Sequence, residues 1–304
     1  MTAGAMRKGL CSAILFLVSA SVVFASEFNV ATFNLRVAQT PKANSWDKRS
    51  DSIKRLVRFH DFDVFATQEG WLHQLDYIKG NDGMYAYVAD PRDDGKEKGE
   101  TSAVFYKPSK FELLMNGRFW FSDTPNEPSL GWDAQYKRVC SWAKLRDKSS
   151  GKTFFVFSLH LDHRGRGARM SSSKLLVQKA KSIAGEDPVI LMGDFNSPAS
   201  GAPVLYLLSN GYKDAYSVSK LPPYGPEETF HDFTGTPVKG GGRIDLILVS
   251  PSVDVLKYGV LSDRLCTLTK QETRFGSNKP EDMEWSALRH PSDHYPVMAK
   301  VLLK

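Results

Sequence analysis

The sequence has few cysteines and no dominant residue type. Its 304 residues include three cysteines, too few to frame a small disulfide-held fold. The 23 glycines and 16 prolines are scattered without a period, which excludes collagen-like and low-complexity classes. With 41% hydrophobic and 24% charged residues, the composition is that of a globular protein with a sizeable core, and general disorder is excluded.

Several well-known binding and catalytic motifs are also absent. The sequence has no cysteine pair at zinc-site spacing and no His-Glu-x-x-His motif. It has no Gly-x-Ser-x-Gly turn, no phosphate-binding loop ending in Gly-Lys-Ser/Thr, and no dinucleotide glycine fingerprint after a strand. These absences argue against nucleoside triphosphate and nicotinamide chemistry. The net charge of +6 is mild, so it permits attraction to polyanions without requiring it.

The N-terminus has the pattern of a secretory signal peptide. Arg7 and Lys8 precede an apolar stretch over 10–24, and Val23 and Ala25 stand three and one residues before a cleavage point after residue 25. The stretch is shorter than the roughly 20 residues of a membrane span. We therefore expect a signal peptide over 1–25, a secreted or periplasmic protein, and no stable membrane insertion after cleavage. A retained membrane anchor is the alternative.

Cleavage would leave Cys140 and Cys266 as the two remaining cysteines. In an oxidising compartment they could form a disulfide, or they could be two buried free thiols. The sequence leaves both alternatives open.

Apolar runs typical of strands alternate with turn signals along the rest of the chain. We predict strands at 28–35, 63–67, 85–89, 102–106, 111–121, 153–161, 188–192, 243–249, 255–260 and 295–303. Helical spacing of apolar residues predicts helices at 46–59, 166–184 and 201–208. Many strands and few helices favour an α+β fold in which two sheets pack together with helices outside. No linker divides the chain, so we predict one domain over 26–304.

Acidic, amide and imidazole side chains recur where these apolar strands end. Each one alone is most simply explained as a turn residue, a helix cap or a structural histidine. The recurrence of such side chains at several strand ends of one chain indicates a shared cleft, because strand ends are where rigid elements present functional groups. Most are oxygen donors, which suit Mg²⁺ or Mn²⁺. They are Asn34, Glu69, His160, Asp194, Asn196, Asp293 and His294.

Asp245 lies inside the apolar run 244–249, which reads as a strand buried on both faces. An ionised carboxylate there costs several kcal/mol unless it is paired or bound to a metal. An imidazole would be a suitable partner, because a carboxylate behind a histidine fixes its tautomer and stabilises its charged form. The alternative is an aspartate on an edge strand that faces solvent.

The order of these residues resembles the endonuclease/exonuclease/phosphatase superfamily, which includes deoxyribonuclease-I-like nucleases, abasic-site endonucleases and inositol polyphosphate 5-phosphatases. The resemblance covers residues 29–303, and no core catalytic position departs from the family pattern. The motifs that carry it are Thr32-Phe33-Asn34-Leu35-Arg36, Gln68-Glu69, His160-Leu161-Asp162, Gly193-Asp194-Phe195-Asn196-Ser197, Ile244-Asp245 and Ser292-Asp293-His294.

The resemblance implies a fold and a metal site. The fold would be a four-layer α/β sandwich of two mixed β-sheets packed face to face, with helices on the outside. Glu69 would bind the divalent ion, Mg²⁺ or Mn²⁺, with help from Asn34, and Asp293 would lie beside the metal.

The resemblance also implies a set of catalytic roles. Asp194 would orient and activate the attacking water, and Asn196 and His160 would hold phosphate oxygens. His294, supported by Asp245, would stabilise charge on the phosphate in the transition state.

The substrate is less well defined by the sequence. His163, Arg164 and Arg169 could form a basic cradle for phosphate, or they could be a solvated basic loop. We expect a monomeric, divalent-metal-dependent hydrolase of a phosphoester in nucleic acid, a nucleotide, a sugar phosphate or an inositol phosphate. A binding module for phosphate ligands that kept the fold and lost turnover is the alternative.

Overall fold

A computed structural model describes residues 1, 26–40, 44–236, 238, 242–264 and 290–304. Apart from residue 1, the predicted signal peptide lies outside the described residues. Cys266 lies outside them as well, while Cys140 is fully buried. The signal peptide and the state of the two cysteines therefore stay predictions.

The described chain forms twelve strands and five helices. In chain order they are β1 (Ser26–Asn34), α1 (Trp46–Phe59), β2 (Val64–Gly70), α2 (Leu72–Lys79), β3 (Ala86–Val88), β4 (Thr101–Tyr106), β5 (Phe111–Trp120), β6 (Val139–Asp147), β7 (Thr153–His160), α3 (Arg166–Ala184), β8 (Val189–Asp194), α4 (Ala202–Ser209), β9 (Lys213–Asp214), α5 (Ala215–Val218), β10 (Asp245–Val249), β11 (Val253–Val260) and β12 (Val297–Leu303).

The strands form two mixed sheets of six. The first has the order β11-β12-β1-β2-β4-β3 and the second the order β5-β6-β7-β8-β10-β9. Each sheet has one parallel pair near its centre, β1 with β2 and β7 with β8, and its other neighbours are antiparallel. The predicted α+β class is confirmed.

The two sheets pack face to face and helices cover their outer faces. A central core of alternate strand residues, such as Val30, Val156 and Ile247, fills the space between the sheets. A second core joins the outer face of one sheet to α1 and α2. A third core joins the other sheet to α3 and α4. The four predicted layers, helix, sheet, sheet and helix, are therefore present.

The predicted helices at 46–59 and 166–184 coincide with α1 and α3. The structure adds α2 and β6, which the sequence analysis did not predict. One face of β6 carries a lysine and an arginine that are less buried than the residues of the opposite face, which packs in the core. These charged residues interrupt the apolar run from which a strand would be predicted. α2 has only eight residues, which is too short for a clear apolar period.

The strand pairings bring the polar strand ends to one edge of the sandwich. The last residue of β1, Asn34, pairs with Gln68, so Glu69 follows beside it. In the other sheet Asp194 ends β8 and pairs with His160 on one side and Asp245 on the other. The registers thus align the ends of β1 and β2 in one sheet and of β7, β8 and β10 in the other, and a hydrogen bond of 3.1 Å between Asn34 and Asp194 joins the two sets.

Arg49 on α1 ties the loops at this edge together. It is 2% exposed, and its guanidinium donates to the carbonyl oxygen of Leu35 at 2.7 Å and to that of Pro291 at 2.8 Å. A third bond, 2.7 Å long, goes to the carbonyl of Asn44. Burial lowers the pKa of Arg49 to about 10, so it remains charged at neutral pH.

We expect Arg49→Met to lower the free energy of unfolding by about 2–4 kcal/mol, because buried carbonyl groups lose their donors. Arg55→Met on the same helix is the control, since Arg55 is exposed and, among the described residues, its ion-pair partner is Asp51. The Arg55→Met variant should lower the free energy of unfolding by at most about 0.5 kcal/mol. Denaturant unfolding of both variants measures the difference, and equal losses would contradict the role of Arg49.

Candidate active site

Three residues at the shared edge have left-handed backbone conformations that are uncommon for residues other than glycine. Their φ angles are 58° at Arg36, 61° at Glu69 and 46° at Asn196. Glu69 also lies at a bulge in β2, between Gln68 and Gly70. Such conformations cost on the order of 1–3 kcal/mol each and persist where surrounding structure holds them. Their clustering at this edge marks it as a functional site.

The side-chain amide of Asn34 joins carboxylates from both sheets. Its Nδ2 donates to Glu69 Oε1 and to Asp194 Oδ2, both at 3.1 Å. Its Oδ1 accepts from the backbone N–H of Arg36 at 3.0 Å, which fixes the orientation of the amide. The carboxylate of Glu69 also accepts from the backbone N–H of Val37 at 3.1 Å. Glu69 and Asp194 are thereby held close to one another.

Asp293 is buried next to these groups, with 1% of its surface exposed. Its Oδ2 lies 3.4 Å from Arg36 Nε, and another nitrogen of the same guanidinium lies 3.7 Å from Glu69 Oε2. Ser292 donates to the backbone oxygen of Asn34 at 2.6 Å, which attaches this segment to β1. Burial raises the pKa of Asp293 above its ordinary value.

His294 and Asp245 form a buried hydrogen-bonded pair. His294 Nδ1 donates to Asp245 Oδ2 at 2.8 Å, and Asp245 is fully buried. Burial alone would lower the pKa of His294, but the carboxylates of Asp245, Asp194 and Asp293 raise it to about 10. The ring is therefore positively charged at neutral pH, with Nε2 3.9 Å from Asp194 Oδ2.

His160 and Asn196 form the other side of Asp194. Asn196 Nδ2 lies 3.0 Å from His160 Nε2 and 2.9 Å from the carbonyl oxygen of Leu161. Burial lowers the pKa of His160 well below its ordinary value, so the ring is neutral and its Nε2 accepts from the amide. The 3.4 Å approach of His160 Nε2 to Asp194 Oδ2 is then not an ion pair. In this arrangement His160 orients Asn196.

Asp194 stands at the centre of the cluster. Its Oδ1 accepts from the backbone N–H of Asn196 at 2.8 Å, and its Oδ2 accepts from Asn34. Burial, followed by the nearby charge of Asp245, raises the pKa of Asp194 to about 7. The buried carboxyl groups of Asp194, Asp245 and Asp293 and the partly buried one of Glu69 thus lie close to the positive charges of Arg36 and His294.

The donor set fits a hard divalent cation. The carboxylates of Glu69 and Asp293 and the amide oxygen of Asn34 are oxygen ligands. Mg²⁺ and Mn²⁺ prefer such ligands. Asp293 Oδ2 is buried without a hydrogen-bond partner, and Arg36 already places positive charge beside Glu69 and Asp293.

Asp194, Asp245 and His294 also bring potential ligand atoms within 4.8 Å of one another. Because the Asp245–His294 hydrogen bond occupies two of these groups, we interpret that trio as a hydrogen-bonded pair beside a carboxylate.

The cluster opens into a cavity of about 400 Å³. The lining residues are Arg36, Val37, Glu69, Arg92, Glu100, Tyr136, Arg138, His160, His163, Asp194, Asn196, Phe230, Ile244 and His294. Asn34, Asp245 and Asp293 lie behind this lining. A larger groove of about 740 Å³ runs along α3 and includes none of the predicted site residues.

Of the three residues predicted to form a basic cradle, one lines the cavity and two do not. His163 lines the cavity. Arg164 is exposed and does not line it. Arg169 donates to the carbonyl oxygen of Asp162 at 2.6 Å and does not line it either. The substrate-binding roles of all three remain predictions.

Sequence reasoning missed several lining residues. Arg36 could have been found, since it closes the first motif two residues after Asn34. Arg92 and Glu100 lie on the loop between β3 and β4 and Arg138 just precedes β6, where no sequence pattern marks them. Their side chains reach the cavity only because tertiary packing folds these loops over it.

The two-sheet sandwich with an acidic and histidine cluster at one edge agrees with the fold and site that the sequence motifs imply. The chain belongs to the endonuclease/exonuclease/phosphatase family, whose model matches residues 29–294.

Two solved structures from Bacteroides thetaiotaomicron are similar over nearly the whole chain. An endonuclease/exonuclease/phosphatase family protein is 37% identical with a TM-score of 0.83, covering 92% of this chain and 99% of that one. A mannosyl-6-phosphatase is 38% identical with a TM-score of 0.81, covering 90% of this chain and 99% of that one.

Among curated proteins, the uncharacterized protein L388 of Acanthamoeba polyphaga mimivirus is 30% identical over 166 residues, which are 50% of this chain and 59% of L388. The chain thus matches less than two thirds of the length of the curated relatives. In the described part of the chain, no helix has both the length and the apolar character needed to cross a membrane.

Asp162 organises the loop that leads from β7 to the cavity wall. Its Oδ1 accepts from the backbone N–H groups of Arg164 at 2.9 Å and Gly165 at 2.8 Å, and its Oδ2 lies 3.3 Å from Arg138 Nε. Burial would raise the pKa of Asp162, but these N–H donors and Arg138 lower it to about 2.

We expect Asp162→Asn to lower the free energy of unfolding by about 2–4 kcal/mol at pH 7, because Arg138 is left buried without its carboxylate. Since the folded-state pKa is depressed, the contribution of Asp162 is full above its unfolded value near 3.9 and is lost as the pH falls toward 2. Denaturant unfolding at pH 7 and pH 3 should show a smaller difference between variant and wild type at pH 3. An equal difference at both pH values would contradict this.

Proposed function

We propose that the protein is a divalent-metal-dependent phosphoester hydrolase that uses a water molecule as the nucleophile. The observation that carries this proposal is the position of Asp194 at the cavity floor, with the polar atoms of Asn34, His160 and His294 3.1–3.9 Å from its Oδ2. Membership of a family whose relatives are named as phosphatases supports the reaction class.

Asp194 is the group that orients and deprotonates the attacking water. Its two oxygens are fixed by the backbone of Asn196 and the amide of Asn34, so the carboxylate cannot rotate away. A base held in this way contributes both positioning and proton transfer.

His294 is the group that stabilises charge on the phosphate. Its Nδ1 is committed to Asp245, which leaves the Nε2 proton for an oxygen of the substrate in the cavity. The buried Asp245 fixes the tautomer of the ring and favours its charged form. A charged donor in a water-poor site stabilises a developing negative charge more strongly than it would in water.

Asn34, Glu69 and Asp293 would hold the metal, Mg²⁺ or Mn²⁺. When bound, the ion supplies positive charge to the phosphate oxygens and the leaving oxygen. Arg36 adds a positive charge that belongs to the chain itself and contacts two of these three residues. Asn196 and His163 are the groups we assign to substrate contact on the other side of Asp194.

We further propose that the protein is exported as a monomer after removal of residues 1–25. The charged, apolar and small-residue order of this segment supports export. Expression of the full chain followed by cell fractionation and N-terminal sequencing tests it. A mature protein that begins at residue 26 outside the cytoplasm is expected, and a cytoplasmic protein that keeps residue 1 would contradict the proposal.

Residues 26–304 should hydrolyse at least one substrate of a phosphoester panel with Mg²⁺ or Mn²⁺ and lose this activity in EDTA. The panel holds DNA, RNA, bis-p-nitrophenyl phosphate, p-nitrophenyl phosphate, sugar phosphates and inositol phosphates. We expect Asp194→Asn to lower kcat by about 10³-fold or more, because the base is removed while the shape is kept. Asp245→Asn should lower kcat by at least about 10²-fold, since His294 loses its orienting carboxylate.

Asp187→Asn is the control for both variants. Asp187 is a surface carboxylate that pairs with Lys144 at 2.8 Å, and it does not line the cavity. It should hydrolyse the panel like the wild type. Metal binding by a folded protein that turns over no member of the panel would contradict the hydrolase proposal and favour a binding module.

A further inference from the structure

Part of the cavity wall is built from residues that phosphoester chemistry does not use. Arg92 and Glu100 come from the loop between β3 and β4, and Tyr136 and Arg138 from the loop before β6. None of the four contacts Asp194 or the Asp245–His294 pair by a hydrogen bond within the described residues. Because they line the same cavity, they face whatever part of the substrate extends beyond its phosphate.

Arg92 and Glu100 form a tight, partly buried ion pair. The Arg92 guanidinium donates to Glu100 Oε2 at 2.5 Å, and only 11% and 17% of the two side chains are exposed. The backbones also pair, since Arg92 N–H donates to the carbonyl of Glu100 at 2.9 Å. Trp120 Nε1 donates to the carbonyl oxygen of Arg92 at 2.8 Å, so the loop is anchored to β5. The pair is therefore held in place before any ligand binds.

Arg138 forms a second such pair. Arg138 is 4% exposed. Its Nε lies 3.3 Å from Asp162 Oδ2, and its Nη2 lies 3.2 Å from His163 Nδ1. Its Nη1 is buried with no hydrogen-bond partner, and so is Nε of Arg92. Buried N–H groups of this kind are costly unless a ligand or water accepts from them.

The positive and negative charges of this wall are balanced, and this balance limits the kind of ligand that the wall can bind. Arg92 is paired with Glu100 and Arg138 with Asp162, so each guanidinium already has a carboxylate. A subsite for a second phosphate would need positive charge without such partners. The wall instead offers donors and acceptors side by side, which matches hydroxyl groups, since each hydroxyl both donates and accepts.

The Tyr136 ring takes part in the packing of this wall. The guanidinium carbons of Arg92 and Arg138 lie 5.0 and 5.9 Å from the centre of the Tyr136 ring, and His163 stacks on it at 5.9 Å. These contacts help to hold the two guanidinium groups in position, while Tyr136 itself is 45% exposed.

We propose that the substrate is a phosphate monoester of a sugar, and that Arg92 and Glu100 bind the hydroxyl groups of its ring. This inference rests on the proposed hydrolase function and names the alcohol that leaves. Glu100 uses Oε2 for Arg92 and has Oε1 to accept a sugar hydroxyl, and the Arg92 guanidinium held by Glu100 lines the same cavity. The cavity volume of about 400 Å³ lies in the range of roughly 300–1,000 Å³ that small-molecule ligands occupy.

The test compares substrates that share a primary alkyl leaving group. Mannose 6-phosphate and glucose 6-phosphate carry ring hydroxyls, and n-hexyl phosphate carries none. We expect kcat/KM for at least one hexose phosphate to exceed that for hexyl phosphate and for a nucleoside 5′-monophosphate by about tenfold or more. Arg92→Ala and the isosteric Glu100→Gln should each lower the ratio of hexose phosphate to hexyl phosphate by about tenfold.

Arg118→Ala is the matched control. Arg118 pairs with Asp90 at 3.2 Å beside the same loop, but it is 42% exposed and does not line the cavity. Its substrate ratio should equal that of the wild type.

The outcomes separate this inference from the proposed function. Turnover of hexyl phosphate or bis-p-nitrophenyl phosphate without a preference for hexose phosphates would overturn the sugar inference alone. A preference for hexose phosphates that is unchanged in the Arg92→Ala and Glu100→Gln variants would also overturn the sugar inference alone. Absence of metal-dependent turnover on every substrate would overturn the hydrolase proposal and the sugar inference with it.

Discussion

The buried carboxylates at the edge of the sandwich are the constraint on which the rest of the site depends. Burying an ionised carboxylate is costly unless charge and hydrogen bonds compensate for it. Here Glu69, Asp194 and Asp245 each have a hydrogen-bond partner, and Asp293 lies beside Arg36. Asn34 bridges Glu69 and Asp194, and His294 pairs with Asp245. These contacts join β1 of one sheet to β8 of the other, and the segment before β12 to β10, so the compensation also fixes how the two sheets meet at this edge.

The sandwich can support this cluster because its strands are rigid and their registers are fixed on both faces. A shift of one residue would turn Asp245 from its place beside Asp194 to the opposite face of the sheet. The apolar residues that alternate with the polar ones prevent such a shift, since Leu246 and Leu248 fill the outer core while Ile247 fills the central core.

The sequence predicted the parts of the molecule that local patterns encode. The α+β class, helices α1 and α3, and the buried partner of Asp245 follow from apolar spacing and from the cost of a buried charge. The cavity wall does not follow in this way. Arg92 and Glu100 are charged residues in a loop rich in lysine and aspartate, and locally they look like solvated surface. Tertiary contacts of that loop, such as those with Trp120 and Lys137, bring them into the cavity.

The charges of the cavity differ between its two parts, and this difference explains how a metal and a neutral alcohol group could share it. At the catalytic edge the carboxylates of Glu69, Asp194, Asp245 and Asp293 outnumber the positive charges of Arg36, Arg49 and His294, and burial together with the charge of Asp245 raises the pKa of Asp194 to about 7. A divalent cation would balance that edge and make it attractive to phosphate. In the wall, every guanidinium already has its carboxylate, so nothing there competes for the phosphate. In the proposed reaction this separation would orient the ester, with its anionic end at Asn34, Glu69 and Asp293 and its alcohol at the Arg92–Glu100 pair.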